Sequence, residues 1–189
     1  RQMCIRDSSY QAGLVSQTLP ELSIDCTKPI DLAALFAEPF EDTRLEIGFG
    51  GAEHLVHEAD RHRSIGYLGC EPFINGVAKL LSQIEEKELT NIRLHHGDAR
   101  EVLLRLPDAC LTRVDVLYPD PWPKWRQRKR RFLSEQNIAE IARVLKPGCI
   151  FRFATDIDDY AGWVLARVLK APHWIWEEAQ MGSRPWQQA

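Results

Sequence analysis

Leu45-Glu46-Ile47-Gly48-Phe49-Gly50-Gly51-Ala52 decides how the rest of the chain is read. A short, mostly apolar run ends in clustered glycines, which reads as a strand closing in a tight turn where a ligand can approach the backbone. Working outward, a helix is expected from about Ala52 to Ala59, and Ile65 to Cys70 reads as a second strand ending at Glu71. Ile74, Val77, Ala78, Leu81 and Ile84 then recur every three or four residues and give one apolar helix face. Ile92 to His96 is a third strand, and a short helix carries Val102, Leu103 and Leu106. Val114 to Tyr118 is apolar almost throughout, as a buried parallel strand should be. Ser134 caps a helix with Ile138, Ile141, Ala142 and Leu145 on one face, which Pro147-Gly148 stops. Cys149 to Ala154 is a fifth strand, Ile157 to Lys170 a helix, and Trp174 to Trp176 the start of a sixth strand. Residues 12–40, with prolines at 20, 29 and 39, read as short helical pieces leading into this unit. Strands alternating with helices predict an α/β, doubly wound, mostly parallel, Rossmann-like sheet. Its ligand site belongs at the strands' C-terminal ends, beside strand one.

The residues at those ends carry the chemistry. A dinucleotide fingerprint starting at Gly48 would need glycine at 53, where this chain has Glu53, and the Gly-Lys-Ser/Thr of a phosphate-binding loop is absent. Glu46 would repel a pyrophosphate but can accept hydrogen bonds from a cationic or hydroxyl-bearing ligand, which favours S-adenosylmethionine over NAD or ATP. Alone, the cluster with Gly48 and Gly50 is equally a plain tight turn. Glu71, at the end of strand two, stands where this topology sets an acid against ribose hydroxyls. Asp98 ends strand three beside the adenine position and also reads as a helix N-cap. After strand four, Tyr118-Pro119-Asp120-Pro121-Trp122-Pro123-Lys124 fixes a carboxylate and a lysine among three prolines. Thr155-Asp156 ends strand five, either facing the site or capping the next helix.

The chain's 189 residues suffice for one ordinary domain, and 44% hydrophobic with 27% charged residues is a globular composition, not a disordered or collagen-like one. No apolar run reaches the roughly 18–20 residues of a membrane helix, and no secretory signal is visible. The net charge is −3, yet residues 124–131 hold six cations and no anion; without them 18 basic face 27 acidic residues, a balance of −9. A dense basic stretch beside a cofactor site suits the phosphates of a polynucleotide, with Arg128, Lys129 and Arg130 as contacts. Trp125 is a candidate to stack on an extruded base, whereas Trp122 reads as packing under the loop. The five cysteines are odd in number with none within CxxC reach, which argues against a structural zinc site or a disulfide framework, and four of them sit beside apolar residues and read as core-filling thiols of a reducing compartment.

In order and spacing these motifs closely resemble the bacterial tRNA (guanine-N7-)-methyltransferases, from about Gln11 to Pro185. The most specific pieces are Glu46-Ile-Gly-Phe-Gly, Gly69-Cys-Glu-Pro-Phe-Ile-Asn-Gly76, Pro119-Asp-Pro-Trp-Pro-Lys124 with its basic tail, and Ala154-Thr-Asp156. The resemblance implies a class I fold, S-adenosylmethionine as methyl donor, no metal, and the variable-loop guanosine at position 46 of tRNA as substrate. It further implies that Glu46, Glu71, Asp98 and Asp120 contact the cofactor, that Lys124 and Asp156 contact tRNA, and that Asp120 is catalytic. A cytoplasmic location without an obligate protein partner follows from the same likeness. The alternatives are a class I methyltransferase acting on a small molecule or protein, and a non-catalytic RNA-binding subunit of the same fold. Ala52 replaces a third glycine common in the family, and Gln127 replaces a frequent histidine.

Residues 3–8 resemble the translation of a sequencing-library adapter, so residues 1–8 are set aside as non-native. Residues 9–43 are then a lead-in and 44–189 the methyltransferase domain. The family's Thr-x-x-Glu segment and last strand are expected to be missing after Arg184-Pro185, leaving residues from about 172 loosely attached.

Overall fold

Side chains alternate across a strand, and the central strands divide accordingly. In β1 (Thr43–Ile47), Leu45 and Ile47 face one side of the sheet while Arg44 and Glu46 face the other. The computed structural model describes residues 8–172 and Trp174. Its sheet contains β1, β2 (Gly66–Cys70), β3 (Ile92–His95), β4 (Leu111–Leu117) and β5 (Leu145–Ala154). The strand order is β3-β2-β1-β4-β5 with every pairing parallel. All C-terminal ends therefore share one edge, and the order reverses beside β1, the switch point expected of a doubly wound fold.

The helices are α1 (Ser8–Leu22), α2 (Glu53–Arg61), α3 (Ile74–Glu86), α4 (Ala99–Arg105), α5 (Glu135–Val144) and α6 (Asp158–Val168). One core unites Leu45, Ile47, Leu68, Val114 and Val116 with α4, α5 and α6. The other unites Tyr67, Ile92 and Leu94 with α2 and α3, and Leu14 of α1 packs there too. Ile24 donates its N–H to Leu94 O at 2.9 Å, so the chain after α1 covers part of the β3 edge. Ser134 caps α5 by accepting from Asn137 N at 3.3 Å, as expected.

Three details differ from the sequence reading. Helix α5 stops at Val144, because Leu145 turns extended and pairs with Leu111; Pro147-Gly148 then falls inside β5, where Gly148 takes φ +75° beside a register shift. Ile74, expected on the buried face of α3, is exposed in the first turn of the helix, and Leu80 is buried instead. Trp174 stacks against Phe151 at 5.3 Å but lies in no strand, and residues 175–176 are outside those described, as is nearly all of the C-terminal segment. Among the described residues, Cys26, Cys70, Cys110 and Cys149 are free and pack in or against the core.

Candidate active site and nucleic-acid face

The turn after β1 needs its glycines. Gly48 and Gly50 adopt φ +74° and +53°, a left-handed region that a Cβ penalises. Ala52 enters the same region at φ 67° as the N-cap of α2, where a glycine would be unstrained. Glu71 holds this turn. It is buried, with Oε2 accepting from Gly50 N at 2.9 Å and Oε1 from Phe73 N at 3.0 Å. Each oxygen retains capacity for a second hydrogen bond. A shallow cavity of about 150 Å³ opens there, lined by Gly50, Gly51, Glu71, Phe73, Asn75, Gly76 and Lys79. Gly76 permits this approach, because a Cβ on it would lie 2.3 Å from Gly50 O.

Glu46 turns under α2 into a layer of charge that the sequence reading missed. His54 Nδ1 lies 2.6 Å from Glu46 Oε2, and Arg152 lies 2.8 Å from His54 Nε2. Guanidinium groups only donate, so the Arg152 contact belongs to the neutral imidazole, in which Nε2 accepts and Nδ1–H points at Glu46; protonated His54 keeps the Glu46 bond and loses the one to Arg152. Arg152 also donates to Asp115 Oδ1 at 2.7 Å, and Arg113 to Asp115 Oδ2 at 2.8 Å and to Glu58. Arg44 reaches Glu58 as well, at 3.3 Å. Burial pushes Glu46 above the usual carboxylate range, partly countered by His54, while the Glu46 hydrogen bond lifts His54 against burial. Donor atoms of Glu46, His54 and Asp115 lie within 4.8 Å of one another, as a metal site would require, but two guanidinium groups already supply positive charge to this cluster.

Asp98 plays the expected N-cap, accepting from Arg100 N at 3.0 Å, and both its oxygens also take the Arg100 side chain. That pairing holds its carboxyl below the usual range. Beyond β4, Tyr118 and Trp122 take φ +50° and +42°, two strained non-glycine residues in one proline-rich loop. Asp120 and Lys124 are exposed on it, and Asp156 is exposed at the end of neighbouring β5. Residues 125–130 form a 3₁₀ turn, where Lys124, Arg126, Gln127, Lys129 and Arg130 line an open cavity of about 330 Å³. Arg128 is less free than its place in the run suggests, since it donates to Asp159 Oδ1 at 2.7 Å. Arg131 is fully buried, bonding Pro121 O at 2.7 Å and Asp159.

Thus Gly48, Gly50, Glu71, Asp98, Asp120, Lys124 and Asp156 all lie in the segments that follow the C-terminal ends of the parallel strands, and Glu46 lies within β1. His54, Asp115 and Arg152 were legible only as charges at alternate positions on strands or beside the glycine turn. None of the described helices is long and apolar enough to cross a membrane.

A family profile described as "Putative methyltransferase" matches residues 41–185. Among solved structures, the fold is similar to a precorrin-6y C5,15-methyltransferase from Geobacter metallireducens, with 16% identity, 89% of this chain, 73% of that one and a TM-score of 0.54. It is also similar to the 16S rRNA methyltransferase KamB, with 19% identity, 88% and 74% coverage and a TM-score of 0.50. At such identities these likenesses speak to the fold alone. Among curated relatives, the tRNA (guanine-N(7)-)-methyltransferase of Nitrobacter hamburgensis is 50% identical over 94% of this chain and 71% of its own length. That of Rhizobium meliloti is 51% identical over 89% and 75%. With half its residues shared across most of both sequences, this chain belongs to the tRNA (guanine-N(7)-)-methyltransferase family.

Proposed function

We propose that this chain transfers the methyl group of S-adenosylmethionine to N7 of a tRNA guanine, the variable-loop guanosine at position 46, in the cytoplasm. One observation carries the reading. The C-terminal edge of one parallel sheet carries two unlike halves, an acid-held glycine turn after β1 and a proline-rich Asp120 loop after β4 that runs into the six cations of residues 124–131. The first half fits a nucleoside: a shallow cavity opens at the glycine turn, and Glu71 in its lining retains acceptor capacity for ribose hydroxyls.

S-adenosylmethionine, when bound, supplies an electrophilic methyl carbon; N7 donates its in-plane lone pair as the carbon–sulfur bond breaks, and the positive charge passes from sulfur to the purine. No proton has to leave before attack, so the residues align and stabilise rather than deprotonate. Glu71 binds the ribose, and Asp98 the adenine edge. Glu46 uses the oxygen that His54 leaves free to accept from the cofactor's cationic end. Asp120 is the catalytic residue, orienting guanine and offsetting the charge that develops on it. Lys124 and Asp156 contact the substrate nucleotide, and Lys129 and Arg130 hold tRNA phosphates, while Arg128, expected to join them, is paired with Asp159.

The test is to incubate the chain with methyl-labelled S-adenosylmethionine and bulk tRNA, then map the labelled nucleoside. N7-methylguanosine at one variable-loop position is expected. Label in a protein, a small molecule or another base would overturn the substrate, and tRNA binding without cofactor binding would indicate a non-catalytic RNA-binding subunit.

A further inference from the structure

Trp125 is the most exposed large apolar side chain described, at 78%, although it sits in a turn made of charged residues. It is also tethered. Arg128 lies over its ring with Cζ 5.0 Å from the centroid, and Arg128 is fixed in turn by Asp159 at 2.7 Å. Asp159 is shared with Arg131, whose buried guanidinium stacks on Tyr160 and Trp163 at 4.8 and 5.3 Å. A line of contacts thus runs from the core of α6 to one exposed indole. An exposed cation–π contact stabilises the fold only weakly, so the tether does more to position the ring than to hold the protein together. Lys129 and Arg130 line the neighbouring cavity, which suits phosphate oxygens.

We propose that Trp125 is a stacking platform for one unpaired nucleobase of the RNA substrate, with Arg128 setting the angle of the ring and the adjoining cations holding that nucleotide's phosphates. This deepens the proposed function, on whose RNA substrate it rests. A flat aromatic face held in place loses little conformational freedom on binding, and every base offers it a π-surface. Trp122 serves differently: it is half-buried, with Arg130 5.0 Å from its ring centroid.

The experiment compares Trp125→Ala and Trp125→Phe with the unaltered protein. Trp125→Ala is expected to weaken tRNA binding about 5- to 150-fold, the range for losing one base–aromatic stack. Trp125→Phe should recover most of it, S-adenosylmethionine affinity should not move, and the salt dependence of tRNA binding should keep its slope because no cation is lost. In protein labelled with 5-fluorotryptophan, the residue-125 resonance, assigned by its disappearance in Trp125→Phe, should shift with tRNA or a short single-stranded oligonucleotide but not with heparin. Binding within twofold for Trp125→Ala, or an equal shift with heparin, would overturn the platform. A resonance that shifts with RNA in a protein that methylates none would sink the enzymatic reading and leave the platform standing.

Discussion

Replacing Gly76 by alanine tests the close approach on which the cofactor cavity depends, and Gly162→Ala is its matched control. Both glycines lie in helices, α3 and α6, where alanine is favoured by up to about 1 kcal/mol. A Cβ on Gly162 meets nothing within 4 Å, so that gain should appear undiminished. A Cβ on Gly76 falls 2.3 Å from Gly50 O and 3.0 Å from Glu71 Cγ, about 1 Å short of ordinary contact with a backbone oxygen that cannot rotate away. Overpacking of this kind costs roughly 1–3 kcal/mol, which outweighs the helix gain. At about 2–4 °C per kcal/mol for a domain of this size, Gly162→Ala should raise the melting temperature by about 1–4 °C. Gly76→Ala should leave it unchanged or lower it by up to about 8 °C. Moving Gly50 also pulls its N–H from Glu71, a charge-assisted bond worth about 1.5–3 kcal/mol, which lowers the melting temperature further and weakens S-adenosylmethionine binding by displacing the turn and the acid that line the cavity. Calorimetric titration and thermal melts of both variants provide the check. If Gly76→Ala gained stability as Gly162→Ala does and bound cofactor as tightly as the parent, the cavity would not be a cofactor site.

The other expectations concern charge. Glu71→Ala should cost both cofactor affinity and stability, because it orphans the N–H groups of Gly50 and Phe73 at about 1–3 kcal/mol each; a variant with an unchanged melting temperature would show that Glu71 does not hold the turn. His54 and Glu46 both have raised folded pKa values, so the stability they contribute is complete below their unfolded values, near 6.5 and 4.5, and is lost as pH rises through the higher folded ones. Melting temperature measured from pH 6 to 9 should therefore fall more for the parent than for His54→Asn, and parallel curves would refute the His54–Glu46 pairing. Asp98 has the opposite sign: its lowered pKa gives stability present above the unfolded value and lost as pH falls through the folded one, and Arg100→Ala should flatten that acid limb in melts between pH 2 and 5. Lys129→Ala with Arg130→Ala should reduce the slope of log K for tRNA against log salt by about 1.4–1.8 in a filter-binding series; an unmoved slope would mean that neither touches phosphate.

Much of this fold was legible because its signals are local. The glycine turn, the 3.6-residue period of α3 and the Ser134 cap each depend on residues within one or two turns, and Glu71 follows once the strand order is assumed. The end of α5 was misread because Pro147-Gly148 looks like a stop, whereas Leu145 leaves the helix earlier to pair with Leu111, a partner distant in sequence. The charged layer was missed for a similar reason. Arg44, Glu46, Arg113 and Asp115 alternate with buried aliphatics, but only the β1–β4 register brings Glu46 opposite Asp115 under α2. With that register in hand, two acids on adjacent central strands call for cations, and Arg113 and Arg152 supply them. The basic run shows the converse: sequence gives the charges of residues 124–131 but not that Arg128 and Arg131 are committed to Asp159.

The most direct test of the two-part site is amide hydrogen exchange read by peptide, with cofactor and tRNA added separately. The cofactor product S-adenosylhomocysteine should slow exchange in residues 46–52 and 71–76 and leave 122–131 unchanged, while tRNA should slow 122–131 first. Protection of 122–131 by the small ligand, with none in the glycine turn, would contradict the assignment of the two halves of the sheet edge.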